Sequence, residues 1–324
     1  MSPTDTDSVA ALPTFAALDV RAVIEQERRG ASIQVDGNYF RGQELAIDAV
    51  GTASTLTDRR NIVSQSRRFY EQIRVDFDSL TRENLISASD RFGQLLQRLP
   101  EVQYLKRVFP GTCFIVPEWL RTGGEVKYGA RIYFFRADAA PAPTDILQRN
   151  VESVVADDRT EFEQYQGGLH GYPKCCIEYF STHERQTETG PELEAVEPIE
   201  NYIDDDVTAE RQARSASIGD VVDGIFEIPQ AYAFFAREFY PEPGCERARH
   251  RGVSIYETLS NAYPETLVKD YFRLNAGWSY LMAKATAPEQ RSAKRPVPGS
   301  LGREHLRFYL PLRRTVTTPR YQTG

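Results

Sequence analysis

The sequence predicts an α+β fold that is mostly helical and contains a small antiparallel sheet with a β-hairpin. Apolar residues recur at spacings of three and four over long stretches, which is the period of an amphipathic helix. Two short runs are instead rich in β-branched and aromatic residues, which favour strands. A chain of 324 residues is long enough to bury a substantial core in one large domain or two modest ones.

The N-terminal part of the chain is predicted to be a short tail followed by helices. Residues 1–17 are expected to form a disordered tail, because chain ends are poorly ordered unless packing holds them. Helices are expected from residue 18 to about residue 99, where Pro100 would end the last of them. The clearest helical spacing is that of Phe92, Leu95, Leu96 and Leu99.

A β-hairpin is predicted after these helices. Residues 113–116 and 130–135 are the two strand-like runs, and Gly123-Gly124 between them can adopt the positive φ of a tight turn. Because Cys113 lies inside the first apolar run, we expect it to be a core residue.

The predicted segments follow changes in composition. Helices and hairpin make up residues 18–140, and a helical region with a cysteine motif makes up residues 141–287, although both can form one continuous domain, 18–287. Within the second region, residues 186–217 are acidic and have little apolar periodicity, which predicts a solvated loop with at most one short helix. Residues 288–324 are a basic tail punctuated by proline.

Composition and charge disfavour several classes of function. No run approaches the roughly 18 to 20 apolar residues of a membrane-spanning helix, and the start lacks a secretory signal pattern, so a cytoplasmic protein is expected. The net charge of −7 offers no general attraction for nucleic acid. Only six of the 39 basic residues are lysine, an acidic and lysine-poor usage that resembles that of halophilic archaea. Walker A, G-x-G-x-x-G, G-x-S-x-G and H-E-x-x-H motifs do not occur, which disfavours nucleotide hydrolases, Rossmann dehydrogenases, α/β-hydrolases and zincins.

Residues 167–180 contain the most chemically informative group of side chains. His170 is followed by Gly-Tyr-Pro, and Pro173 suits the first position of a helix. Cys175 and Cys176 would then lie in the first helical turn, where unpaired N–H groups favour a thiolate. A disulfide between adjacent cysteines would be strained, so both thiols are expected to be reduced.

Cys245 repeats this pattern further along the chain. Pro241, Pro243 and Gly244 are expected to end one helix, and a new helix begins near the cysteine. His250 lies about 140° further round that helix, which is poor geometry for sharing one metal ion with Cys245, so it is expected at the surface. The local pattern does not determine whether Cys245 comes near the other cysteines.

Three interpretations of these cysteines remain open. The first is a site for zinc or an iron–sulfur cluster, because thiolate and imidazole ligands suit such centres. Its ligands would be His170, Cys175, Cys176 and Cys245. The second is a catalytic thiol, with Cys175 as nucleophile and His170 as base. The third is a structural or interaction protein whose thiols are buried and inert.

Two segments around the cysteines resemble a known family. They are Gly171-Tyr-Pro-Lys-Cys-Cys-Ile-Glu-Tyr-Phe180 and Pro243-Gly-Cys-Glu-Arg-Ala248. Both are similar to segments of the archaeal and bacterial proteins grouped as domain of unknown function 483, and the resemblance covers roughly residues 167–259. It implies that the three cysteines matter but names no activity for them. Some members of that family carry a further cysteine at the position of Pro241, so a site that requires this extra ligand is incomplete here.

The basic tail predicts a different class of function, RNA binding, including a role related to tRNA. Many proteins hold RNA through arginine contacts to phosphates and stacked aromatic rings, and Phe308, Tyr309 and Tyr321 are interleaved with the basic residues. A simpler interpretation is that the tail neutralises the acidic remainder of its own chain. The basic residues assigned to RNA are Arg291, Lys294, Arg295, Arg303, Arg307, Arg313 and Arg314.

Overall fold

The chain divides into two compact units in the computed structural model. The first is Met1–Gly171 with Leu310–Arg313, and the second is Tyr172–Tyr309 with Arg314–Gly324. Within them the structure describes residues 12–50, 54–72, 81–122, 125–183, 190–200, 229–237, 239–286 and 306–312. The predicted fold class is confirmed, since the described residues are mostly helical and include a small antiparallel sheet.

The first unit combines helices with this sheet. Its described helices are α1 (Thr14–Ile24), α2 (Gly37–Val50), α3 (Ser54–Gln72), α4 (Arg82–Leu96), α5 (Pro100–Val108), α6 (Pro143–Ala156) and α7 (Thr160–His170). Its strands are β1 (Gly30–Val35), β2 (Cys113–Thr122) and β3 (Glu125–Phe135). All described strand pairs are antiparallel, and the order across the sheet is β1-β3-β2.

The predicted hairpin is confirmed as the pair β2 and β3. Cys113 lies opposite Phe134 at one end of the pair, and Thr122 lies opposite Glu125 at the other. The glycines predicted to form the turn fall outside the described residues. Cys113 is buried as expected, and this burial raises the pKa of its thiol to about 12, so we expect it to be chemically inert.

The strand β1 corrects the prediction of helices throughout residues 18–99. Ala31, Ile33 and Val35 are buried while the residues between them are only half-buried, the alternation of a strand with one face on the core. Six residues of alternation are a weak local signal next to longer helical patterns. This segment forms a strand and not a helix because it pairs with β3, which lies about 100 residues further along the chain.

Both predicted tails contain ordered residues. Helix α1 begins at Thr14, inside the tail predicted for residues 1–17, and both the N–H and the hydroxyl of Thr14 donate to the carbonyl of Leu310 at 2.9 Å. Pro13 and Pro311 form an antiparallel bridge beside these bonds. The two chain ends therefore hold each other through contacts that no local pattern could have predicted.

Helices α6 and α7 extend the first unit to Gly171, beyond the segment end predicted at residue 140. On α6, the amide of Asn150 accepts from the backbone N–H of Trp119 at 2.8 Å and donates to its carbonyl at 2.9 Å. Because β2 lies at an edge of the described sheet, these bonds satisfy backbone groups that would otherwise have no partner in the sheet. Phe162 and Leu169 of α7 pack in a core cluster with residues of β2, β3 and α6.

Replacing Asn150 with alanine is expected to lower the unfolding free energy by about 2 kcal/mol, because two buried backbone groups of Trp119 lose their partners. Urea denaturation followed by circular dichroism measures this change. Gln148→Ala on the same helix is the matched control, since Gln148 is exposed and its loss should cost less than about 0.5 kcal/mol. Equal losses in the two variants would contradict this role of Asn150.

The second unit is helical in its described part. Its helices are α8 (Lys174–His183), α9 (Pro191–Glu200), α10 (Glu246–Ala262) and α11 (Glu265–Thr286), with 3-10 turns at Pro229–Ala233 and Arg307–Tyr309. A core cluster joins Val196 and Ile199 of α9 to Phe234 and to Ala276 of α11. No helix in the described segments of either unit is long and apolar enough to cross a membrane.

Helix α9 lies inside the segment 186–217 that was predicted to be a solvated loop. Ala195, Val196 and Ile199 recur at helical spacing and are buried, so this part of the acidic segment packs against the core. Residues 186–189 and 201–217 fall outside the described residues.

Candidate metal centre

The helix that carries the cysteine pair begins where the sequence predicts it, to within one residue. Helix α8 begins at Lys174, and the N–H of Ile177 donates to the carbonyl of Pro173 at 3.1 Å. Cys175 and Cys176 therefore lie in the first helical turn. Cys176 is 1% exposed and Cys175 is half-buried, so Cys176 is the more core-facing of the two.

Cys245 follows a tight turn that the local sequence accounts for. Its N–H donates to the carbonyl of Glu242 at 3.0 Å, and Gly244 has a φ of 72°. Proline followed by a residue with positive φ is typical of a type II turn, which the Glu242-Pro-Gly-Cys245 sequence matches. Cys245 caps the N-terminus of α10, as expected, and His250 on that helix is exposed, also as expected.

The three cysteines of the second unit meet. The Sγ atoms of Cys175, Cys176 and Cys245 all lie within 4.8 Å of one another, and those of Cys175 and Cys245 are 3.4 Å apart. A group of three thiols this close can hold a metal ion. The structure thus answers the question that the sequence left open, whether Cys245 comes near the pair.

Aromatic side chains that flank the cysteine pair in the sequence hold Cys175 and Cys176 close to Cys245. The ring of Tyr172 packs on that of Phe239 with centroids 4.3 Å apart, and also contacts Phe235. The ring of Phe180 stacks on that of Tyr240 at 6.1 Å. These contacts dock α8 onto the segment that leads directly into the turn before Cys245. Sequence reasoning missed them, although the Phe-Tyr pair just before Pro241 was a visible signal.

His170, the fourth predicted ligand and the predicted base, lies at the end of α7 in the first unit. It is buried, its Nε2 is 2.9 Å from the hydroxyl oxygen of Ser32, and its ring stacks on Tyr133. Burial, and then the charges of Arg28 and Arg131, hold the pKa of His170 well below its usual value. The imidazole is therefore neutral at neutral pH. Its participation in cysteine chemistry remains a prediction.

The lowered pKa of His170 predicts a loss of stability in acid. Above about pH 6.5 the imidazole is neutral in both folded and unfolded chains; below it only the unfolded chain takes up the proton. The unfolding free energy of the wild type should therefore fall between pH 7.5 and 5.5 by about 1.4 kcal/mol more than that of His170→Asn. Denaturant titrations at both pH values measure the difference. The exposed-site variant His250→Asn should behave as wild type, and identical pH profiles for His170→Asn and wild type would contradict the prediction.

The thiols of Cys175 and Cys176 do not have the lowered pKa that the start of a helix alone predicts. Burial, and then the adjacent thiol of Cys245, raise the pKa of Cys175, and burial likewise raises the pKa of Cys176. The N–H of Cys176 lowers the pKa of Cys175, and that of Glu242 lowers the pKa of Cys176, but burial and the crowding of three sulfurs outweigh them. A cation between the sulfurs would reverse this balance, because a coordinated thiol loses its proton.

A small cavity and a polar group adjoin the cysteines. The cavity has a volume of about 20 Å³, enough for one water molecule, and its lining includes Glu242, Cys245 and Arg249. One turn after Cys175, the hydroxyl of Tyr179 donates to Glu194. The sequence analysis singled out none of these surroundings, because a lone acid or tyrosine in a helix has no distinctive pattern.

The described part of the basic tail has internal partners. Arg307 pairs with Asp270, and the hydroxyl of Tyr309 accepts from Arg237 at 2.6 Å. Phe308 and Tyr309 are both buried, so the predicted stacking rings are core residues here. The other basic residues assigned to RNA fall outside the described residues, and RNA binding remains a prediction.

The fold and the cluster define a mostly helical α+β protein with a three-cysteine site that can hold a metal ion. Comparison of the chain with protein-family models, with curated proteins and with solved structures finds no match. A function for this chain therefore rests on the geometry of its own site.

Proposed function

We propose that the protein binds a single zinc ion, or an ion of similar preference, through the thiolates of Cys175, Cys176 and Cys245. The mutual approach of the three sulfurs is the observation that carries this proposal. Zinc–sulfur bonds of about 2.3 Å in tetrahedral geometry separate the sulfurs by about 3.8 Å. The separations in the cluster, 3.4 Å between the sulfurs of Cys175 and Cys245 and no more than 4.8 Å for any pair, are compatible with that value.

The same separations favour a single ion over an iron–sulfur cluster. In a four-iron cluster each cysteine binds a different iron, and in a two-iron cluster only two cysteines share one iron, so three thiolate sulfurs cannot all lie as close together as they do around one ion. Contact of the sulfurs of Cys175 and Cys245 suits two ligands that share one metal ion. Three thiolates also select soft or borderline metals over magnesium and calcium, which prefer oxygen.

The backbone around the sulfurs supports a negatively charged group of ligands. The N–H groups of Glu242 and Cys176 act on the sulfurs of Cys176 and Cys175, respectively. Hydrogen bonds from outside the coordination shell orient metal ligands and tune them. Cys175 and Cys245 also lie at the starts of α8 and α10, where the helix dipoles favour negative charge.

The ion would have a structural role. Cys175 and Cys245 are separated by 70 residues, so a shared metal ion joins the start of α8 to the start of α10 within the second unit. Coordination energy at such a link adds directly to the stability of the fold. The three ligands would hold the ion between the two helix starts.

Elemental analysis of protein purified without oxygen tests the proposal. One metal ion per chain is expected in the wild type and in Cys113→Ser, the matched control whose cysteine lies in the sheet of the first unit. Much less than one is expected in the double variant Cys175→Ser, Cys176→Ser. After exchange with cobalt, sulfur-to-metal charge-transfer absorption should appear in the control and not in the double variant. A metal-free wild type, or a double variant that keeps its metal, would reject the proposal.

We also propose that the chain belongs with the proteins grouped as domain of unknown function 483. In support, the two segments that carry this resemblance supply all three sulfurs of the cluster. The solved structure of an accepted member in which the corresponding cysteines lie far apart would contradict this assignment.

A further inference from the structure

We propose that Cys175 and Cys245 are a site of reversible oxidation, at which a small hydroperoxide joins them in a disulfide. Their sulfurs are 3.4 Å apart, so an approach of about 1.4 Å brings them to the length of a disulfide bond. The two residues come from separate helix starts of the second unit, 70 residues apart in the chain. This inference goes beyond metal binding, because the pairing depends only on the two thiols.

The geometry selects this pair among the cysteines of the cluster. Cys175 and Cys176 are neighbours in the chain, with Cα atoms about 3.8 Å apart, whereas disulfides usually need about 4.4 to 6.8 Å. Cys176 is 1% exposed, while Cys175 and Cys245 are both half-buried. The disulfide that forms should therefore link the two accessible thiols and leave Cys176 reduced.

A small cavity adjoins one of the two sulfurs. The cavity of about 20 Å³ is lined in part by Cys245, and it is polar at Glu242, Glu246 and Arg249. Its volume is sufficient for a molecule of about the size of water. Cys245 is thus the thiol that a hydroperoxide reaches first, and Cys175 is the thiol that resolves the product.

The disulfide forms in two steps, through a sulfenic acid. The thiolate of Cys245 attacks the terminal oxygen of the hydroperoxide, so that an S–O bond forms and the O–O bond breaks, leaving a sulfenic acid and an alcohol, or water from hydrogen peroxide. The thiolate of Cys175 then attacks this sulfur, the S–S bond forms, and the S–O bond breaks with release of water. In total the two thiols lose two electrons and two protons, and the hydroperoxide accepts them.

Oxidation and metal binding would exclude each other, and this part of the inference rests on the proposed metal site. A disulfide removes two of the three thiolate ligands, so one sulfur, that of Cys176, would remain for the ion. An intact metal site would in turn slow the oxidation, because the ion engages the lone pairs of the thiolates. Peroxide should therefore release the ion in proportion to disulfide formed.

The first test uses the full chain, reduced and stripped of metal with a chelator. After brief treatment with hydrogen peroxide and alkylation of remaining thiols, digestion and mass spectrometry should find the Cys175–Cys245 link in most chains and Cys113 and Cys176 alkylated. Cys176→Ser should form the same link, and Cys175→Ser should stop at a sulfenic acid on Cys245 that dimedone traps. A link between Cys175 and Cys176, or no link in Cys176→Ser, would overturn the inference.

The second test separates this inference from the metal proposal. Zinc-loaded protein is treated with hydrogen peroxide, and released zinc is measured with a chromophoric chelator beside the yield of disulfide. One zinc released for each link formed is the expected result, and dithiothreitol with added zinc should restore occupancy. A chain that never binds zinc but forms the link would reject only the metal site. A chain that binds zinc but yields no link, metal-free or loaded, would reject only the oxidation site.

Discussion

Chelation of the proposed metal ion is expected to lower the melting temperature of the second unit by roughly 5 to 10 °C, for a loss of about 3 kcal/mol. The physical reason is mass action. An ion that binds only the folded chain, at a free concentration of 100 times its dissociation constant, adds about 2.7 kcal/mol to stability. Since the ion would join the starts of α8 and α10, its removal should lower the melting temperature of this unit.

Differential scanning calorimetry with and without a chelator measures this effect. Wild type and Cys113→Ser should show the downward shift, whereas Cys176→Ser should start at the lower melting temperature and respond little to the chelator. Cys176 is the most informative position, because its sulfur is a proposed ligand and takes no part in the proposed disulfide. A chelator response in Cys176→Ser as large as that of the wild type would argue against coordination by its thiolate.

Replacing Gly252 with alanine is expected to destabilise the second unit by about 3 to 5 kcal/mol, or to prevent its folding. A Cβ atom at this position of α10 would lie 1.6 Å from the carbonyl oxygen of Tyr232 and 2.5 Å from its carbonyl carbon. Overpacking against side chains usually costs about 1 to 3 kcal/mol, and here the obstacle is backbone, which yields less easily. The missing side chain is what allows α10 to approach the turn Pro229–Ala233.

Gly168→Ala on α7 is the matched control for this substitution. Gly168 is exposed, and a Cβ atom there would meet nothing within 4 Å. Alanine favours a helix by up to about 1 kcal/mol over glycine, so this variant should be slightly more stable than wild type. Chemical denaturation should thus give effects of opposite sign for the two glycines. A Gly252→Ala variant as stable as wild type would show that the close approach of α10 to Tyr232 is wrong.

The steric clash of Gly252→Ala should also disturb the proposed metal site, because Cys245 occupies the N-cap position of the same helix. Any Gly252→Ala protein that remains soluble is expected to bind less metal than wild type, since its third sulfur is no longer held beside the other two. The measurement is elemental analysis of the soluble fraction. Full occupancy in a variant whose α10 has shifted would mean that the turn before Cys245 positions the sulfur by itself.

The sequence by itself determined those features that depend on a few neighbouring residues. The hairpin follows from two β-rich runs around a glycine pair, and the burial of Cys113 follows from its place in one of them. The start of α8 follows from Pro173, and the turn before Cys245 follows from proline and glycine. In each case the backbone preferences of a short segment decide its conformation, so local patterns suffice.

Only the tertiary structure decided which distant segments meet. The strand β1 exists because β3 offers a partner, and α1 begins at Thr14 because Leu310 lies beside it. Cys245 joins the cysteine pair because Tyr172 and Phe180 pack against the aromatic segment that precedes its turn. The pKa of Cys175 is raised, whereas its place at the start of a helix predicts a lowered pKa. Helix position is a local property, but burial and the neighbouring thiol result from tertiary packing. Contacts across such distances depend on how many side chains fit together at once, and no period or short motif along the chain encodes that fit.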